Sequence, residues 1–221
     1  MYKLIRKDVL IQKPSLRWAM GYLLFILVIF SLTPDFADFA YIMAGFGGSY
    51  ILVIGSFQLE LKNQTDIFLN SLPTTRREII VSRYLSGLLL TLFIICMTGA
   101  LGVLMKLLPL FETIRFMNGN DILVVLLIAV LLMAIVLPTN LKFGPQGARV
   151  ISMIVFLLLF FAPAWFRDLI VANRQAEWAQ SLINLAVSQP AVLLAAMSGL
   201  GILLLALSLF VSLRLYETKD F

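Results

Sequence analysis

The chain has 221 residues, 61% of them hydrophobic and 13% charged, with 17 Lys and Arg against 12 Asp and Glu. Soluble domains carry about 45–50% apolar and about 25% charged residues, so a soluble enzyme, a disordered tail and a disulfide-stapled scaffold are excluded. With a mean hydropathy of +0.99, what remains is an integral membrane protein, read here as one membrane domain over 1–221.

In chain order, the first feature is basic. Tyr2, Ile5 and Val9 recur at helical spacing between Lys3, Arg6, Lys7 and Asp8. Residues 1–17 therefore read as an interfacial helix drawn to anionic lipid. It serves either as a topology signal alone or as an elbow that also touches a cytosolic partner. Charge-free runs follow at 18–34, 39–59, 84–105, 122–141 and 150–166. A spanning helix needs roughly 20 residues, with a range of about 17–25. A further run, 178–213, is too long for one helix, but Pro190 breaks it and leaves 191–213 at span size. The predicted fold class is an all-α integral membrane protein with six transmembrane helices. Trp18, Tyr22, Tyr41, Trp165 and Trp178 lie near run ends, where amphipathic rings suit the headgroup level.

The second run carries Ala44, Gly45, Gly47, Gly48 and Ser49. Small residues four apart let helices approach closely in lipid. Serines such as Ser152, Ser198 and Ser208 lack any base within reach and read as helix–helix hydrogen bonders.

The 59–78 segment is the most informative. Leu61, Thr65, Phe68, Leu69 and Leu72 fall on one helical stripe, with Glu60, Asn63, Asp66 and Asn70 opposite. The spacing predicts a short loop helix over 60–72, ended by Pro73. Thr75 followed three residues later by Glu78 is a capping-box spacing, so the third membrane helix is predicted to start at about Arg76. Arg83, two turns in, can run its stem to the membrane surface. The next loop, 142–149, is punctuated by Gly144, Pro145 and Gly147. Residues 167–189 mix Leu169, Ile170, Trp178, Leu182 and Ile183 with Asp168, Arg174, Glu177 and Gln180, which predicts an extracellular interfacial or re-entrant hairpin.

Several chemistries are missing from the sequence. There is no histidine, and the single cysteine, Cys96, lies inside the third run. That removes a Ser-His-Asp triad, a Cys/His pair, a disulfide and a Cys/His metal set. No P-loop sequence occurs, so the chain is expected not to hydrolyse ATP by itself. No ionisable residue sits deep in a run, which disfavours an ion-coupled carrier. The N-terminus lacks the small-residue cleavage site of a signal peptide.

Charge distribution predicts the threading. With six spans, the N-terminal arm, the 60–83 stretch, the 142–149 loop and the C-terminal tail share one side and hold thirteen of the 17 basic residues. The other side holds four: Lys106, Arg115, Arg167 and Arg174. The positive-inside rule places both termini in the cytoplasm. This bias, not nucleic-acid binding, explains the pI near 9.5.

The 60–85 stretch, ELKNQTDIFLNSLPTTRREIIVSRYL, resembles the first cytoplasmic loop of the type-2 permease family of ATP-binding-cassette (ABC) transporters. The positions that carry the resemblance are Asn63, Thr65, Leu69, Ser71, Leu72, Pro73, Thr75, Arg76, Glu78, Ile79, Arg83 and Tyr84. Gln64 departs from the family's lysine. The LKFG at 141–144 and the tail ending in Lys219, Asp220 and Phe221 are also similar to this small six-helix group.

The resemblance implies a permease subunit of an ATP-driven exporter in the bacterial plasma membrane. It implies a dimer, with a second copy or a sibling permease, seated on ABC ATP-binding subunits. Those subunits would bind ATP and Mg, with no cofactor in this chain. The loop helix would be the coupling helix, with Leu61, Thr65, Phe68, Leu69, Leu72, Thr75, Arg76 and Glu78 facing the ATPase. The substrate path would run along the second and fifth helices, past Phe46, Phe57, Phe156 and Phe160. Its cargo would be an amphipathic or hydrophobic substrate, as in phenol-soluble modulin or bacitracin-type exporters. The alternative is a non-transporting membrane scaffold or an immunity protein.

Overall fold

Proline and glycine set the ends of the helices. A computed structural model describes residues 12–62, 75–108, 111 and 115–218. Helix α1, Lys13–Leu32, opens with Pro14 in its first turn, where a missing N–H costs nothing. A 3-10 turn, Pro34–Phe39, leads into α2, Ala40–Lys62. Helix α3 is Arg76–Lys106 and α4 is Gly119–Ala172. The amphipathic α5, Glu177–Ser188, precedes α6, Pro190–Glu217, again with proline in the first turn.

Among the described residues, five helical stretches are long and apolar enough to cross a membrane: Pro14–Leu32, Ala37–Ser56, Arg76–Lys106, Gly119–Gly144 and Val192–Glu217. Gln146–Ala162 is apolar but shorter. It is the second limb of α4. Gly144, at φ 69° and ψ −172°, breaks the helix in a conformation that favours a residue without Cβ. The predicted 142–149 loop is thus a single-residue break between two helical limbs.

The contacts show that the limbs run in opposite directions. Val125, early in the first limb, meets Gly45 near the start of α2. In the second limb, Arg149 and Met153 line a groove with Ile54 and Gly55, further along α2. Phe156 then stacks on Phe46, back toward the start of α2.

Helix α2 is the centre, packed against α1, α3 and α4. Its small residues make this possible. A methyl added at Gly45 would meet Val125 at 2.8 Å, and one at Gly48 would meet Ile94 at 3.0 Å. One at Gly47 would strike the Tyr22 ring. The space at Gly47 lets the Tyr22 hydroxyl reach and donate to the Met43 carbonyl one turn back, at 3.1 Å. Tyr41 is buried and donates to the Arg115 carbonyl at 2.6 Å. These two tyrosines turn inward, one tying α1 to α2 and the other tying α2 to the α3–α4 connection. The three tryptophans do face outward, with Trp18 79%, Trp165 74% and Trp178 44% exposed.

Other boundaries differ from the sequence reading. Residues 13–17 belong to α1 itself, and 1–11 lie outside the described residues. Residues 60–62 continue α2, since nothing in Glu60-Leu61-Lys62 breaks a helix; 63–72 lie outside the described residues. The 167–189 segment is the end of α4, a turn at 173–176, and α5. Helix α4 is capped at Asn173, whose side-chain amide donates to the Leu169 carbonyl at 2.9 Å.

Candidate functional site

The sequence points to the place where the 60–72 loop segment enters the membrane domain. Of its predicted coupling residues, Thr65, Phe68, Leu69 and Leu72 lie outside the described residues, as does the side chain of Leu61. Thr75, Arg76 and Glu78 are described and start α3.

The start is capped from both directions. The Glu78 amide donates to the Thr75 hydroxyl at 3.2 Å, and the Thr75 amide donates to the Glu78 carboxylate at 3.1 Å. Two orphan N–H groups of the first turn are satisfied. The helix therefore begins at a fixed residue, which transmits a displacement better than a frayed turn.

The capped turn is also tied to the far end of the sequence. Arg76 donates from Nη1 to the Glu217 carbonyl at 2.7 Å and to the Tyr216 carbonyl at 3.4 Å. These are among the last carbonyls of α6, which lack helical partners, and a guanidinium also suits the negative end of the helix dipole. Arg77 pairs with the Glu217 carboxylate at 3.1 Å. Both partners are exposed, so this pair adds little energy. Arg83 is buried with its guanidinium 5.8 Å from the Tyr216 ring centroid. It turns inward to the last turns of α6, where the sequence predicted a path to the surface.

Two turns above the cap, hydroxyls continue the connection. Tyr84 Oη lies 2.7 Å from Ser208 Oγ and 2.9 Å from Ser212 Oγ, all buried. Ser208 donates its one proton to the Ala134 carbonyl of α4 at 2.7 Å. It must therefore accept from Tyr84, and Tyr84 must accept from Ser212. The order is Ser212 to Tyr84 to Ser208 to Ala134, one directed chain through α6, α3, α6 and α4. In apolar surroundings each member would be costly to leave unpaired.

Serine as a helix–helix hydrogen bonder was legible for Ser208. Ser152 and Ser198 instead bond the carbonyls of Arg149 and Leu194 on their own helices. Tyr84 itself was read only as a motif position. The missed signal was Ser208 and Ser212, four apart on an otherwise apolar helix.

The opposite end has a different character. Arg115 uses all five N–H groups. It forks onto the Asp121 carboxylate at 2.6 and 2.8 Å and donates to the Asp38 carboxylate and carbonyl at 3.0 and 2.8 Å. A further bond reaches the Phe116 carbonyl at 3.2 Å. The Asp121 hydrogen bonds lead in holding the Arg115 pKa above its ordinary value, against a smaller desolvation. This cluster clamps the turn after α1 to the α3–α4 connection.

The predicted path residues are brought together in part. Phe46 and Phe156 stack at 4.8 Å, and Phe160 follows at 6.1 Å from Phe156. Tyr50 tilts onto Phe156 at 4.4 Å. Phe46 is buried in this column and Phe160 is exposed; the Phe57 side chain lies outside the described residues. A groove of about 330 Å³ opens beside the column, walled by Tyr50, Ile51, Ile54, Gly55, Arg149 and Met153. Among the described residues no group of His, Cys, Asp and Glu is arranged to hold a metal ion.

Span-length apolar helices, with α3 capped at its start and tied to the end of α6, define a multi-pass membrane protein. The comparison with family models agrees and is specific: residues 3–217 match the family described as ABC-2 family transporter protein, and the chain belongs to it. No curated protein matches the chain, and no solved structure does.

Proposed function

We propose that this chain is the membrane-spanning permease subunit of an ATP-driven ABC exporter. Its cargo is an amphipathic or hydrophobic molecule such as a toxin or antimicrobial peptide. It threads the bacterial plasma membrane six times, the short second limb of α4 counting as the fifth crossing, with both termini cytoplasmic. It works as a dimer on ABC ATP-binding subunits that hold the ATP and Mg. Leu61, Thr65, Phe68, Leu69 and Leu72 form the ridge that docks there, and Thr75, Arg76 and Glu78 join that ridge to α3.

Family membership supports the transport role. The observation that carries the coupling reading is the two-way cap at Thr75 and Glu78, directly after the ridge. Nucleotide binding in the partner would then shift the membrane helices between packings by favouring one of them. The apolar column at Phe46, Phe156 and Phe160 supports an apolar cargo over a sugar or an ion. The test is ATP-dependent uptake of amphipathic peptides into inverted membrane vesicles that hold the permease with its co-purified ATPase. Uptake that needs both subunits supports the reading. A permease that purifies with no ATP-hydrolysing subunit, and whose vesicles take up no peptide, refutes it.

A further inference from the structure

We infer that the entry loop drives two membrane helices and not one: displacement of the start of α3 carries the end of α6 with it, through Arg76, Tyr84 and Ser208 as positioning residues. The inference deepens the proposed coupling role of this site and takes from that reading only the source of the displacement.

Two independent connections carry it. At the surface, Arg76 holds the Glu217 and Tyr216 carbonyls. Two turns deeper, the directed hydroxyl chain runs from Ser212 through Tyr84 and Ser208 to the Ala134 carbonyl. The two connections are eight residues apart on α3 and join the same stretch of α6. One contact would leave α6 free to pivot about it. Two contacts at different heights fix its rotation and its translation together. The Arg83 guanidinium over the Tyr216 ring fills the level between them.

The chain also reaches α4. Ser208 closes on the Ala134 carbonyl in the first limb, about three turns before the Gly144 break. Pro138, four residues on, has no N–H to give this carbonyl, so Ser208 supplies the donor that the helix leaves out. The first limb is therefore joined to α3 and α6, while the second limb, past the single non-helical residue, is free to take a different angle. A push at the loop would move α3, α6 and the first limb as one body and change their angle to the second limb at Gly144. That is the limb whose Phe156 closes the aromatic column on Phe46.

The test has two arms. In the first, the permease alone in nanodiscs is followed by amide hydrogen exchange in wild type, Arg76→Gln, Tyr84→Phe, their double variant, and Ser198→Ala as a control. Each single variant should speed exchange several-fold both in the first two turns of α3 and in residues 211–217 of α6. The double variant, which loses both connections, should be faster than either single one, and the control should match wild type. Arg76→Lys, which can still donate to a carbonyl, should restore most of the protection. Faster exchange confined to α3, or a double variant that matches the faster single one, would overturn the inference. If Tyr84→Phe fails to fold, the double variant Ser208→Ala with Ser212→Ala, which removes both partners of the Tyr84 hydroxyl on α6, takes its place with the same expected pattern.

The second arm adds the co-purified ATPase and a non-hydrolysable ATP analogue. Exchange should then change at the start of α3 and the end of α6 together in wild type, and at α3 alone in Tyr84→Phe. A change at α3 alone in wild type would overturn the inference and leave the ATPase docking intact. Failure to obtain any ATPase complex would defeat the coupling role, with the first arm still deciding whether α3 and α6 move as one body.

Discussion

Helices α2 and α6 are both apolar spans, yet they occupy opposite positions. In α2, 67% of the apolar window is buried, against 11% in α6. The buried helix is the one with Ala44, Gly45, Gly47, Gly48 and Ser49. The exposed one shows Leu200, Ile202, Leu203, Leu207 and Phe210 to its surroundings. In water the ranking would be the reverse, because large apolar side chains gain most from burial. In lipid that gain is absent, and close backbone approach decides which helix goes to the centre. What holds α6 is one apolar edge, Leu205, Leu209, Leu213 and Tyr216, packed on the core, with polar contacts at Ser208, Ser212, Tyr216 and Glu217 near its C-terminal end.

This contrast can be broken at its strongest point first. Gly47→Leu would drive a side chain into the Tyr22 ring and should cost about 3 kcal/mol or prevent folding, as overpacking does in tight cores. A thermal melt in nanodiscs checks it, and an unchanged melt would show that α2 is not the packed centre. Asp121→Asn comes next. It leaves Arg115 without its main partner in a site where the carboxylate is only 5% exposed. The expected loss is about 2 kcal/mol, on the scale of hydrogen bonds to charged groups, with faster proteolysis in the 107–118 connection. Thr75→Ala removes one side of the cap and should cost about 1 kcal/mol, with unprotected amides in the first turn of α3 by hydrogen exchange. Leu203→Ala, on the outward face of α6, should change the melt by less than about 0.5 kcal/mol. A large loss there would mean that this face is packed and not turned to lipid.

Helix existence was readable because membrane spans announce themselves by length and charge. The capped start at Thr75 was readable because its chemistry is local: two residues three apart determine it. The hairpin inside α4 was readable as punctuation but not as geometry, since Gly144 alone makes the turn and the flanking residues remain helical. The partners of Tyr22 and Tyr41 were not readable, because a tyrosine near a run end suits either headgroups or a carbonyl across the helix interface. Only the glycines opposite, such as Gly47, distinguish the two. The Arg76 contacts with α6 join residues 140 and 141 apart, and nothing in local spacing could have shown that pair. The Phe46, Phe156 and Phe160 column likewise depends on the limb reversal.

The central claim is that the ridge before Thr75 docks an ATPase and is not part of the membrane domain's own core. Leu69→Asp tests it most directly, read by a pull-down of the ATPase beside a thermal melt of the permease alone. The account predicts normal membrane insertion, a nearly unchanged melt and loss of most ATPase binding, because a carboxylate would be stranded in an apolar groove. A sharply lowered melt, with the surviving folded permease still binding ATPase as wild type does, would contradict it.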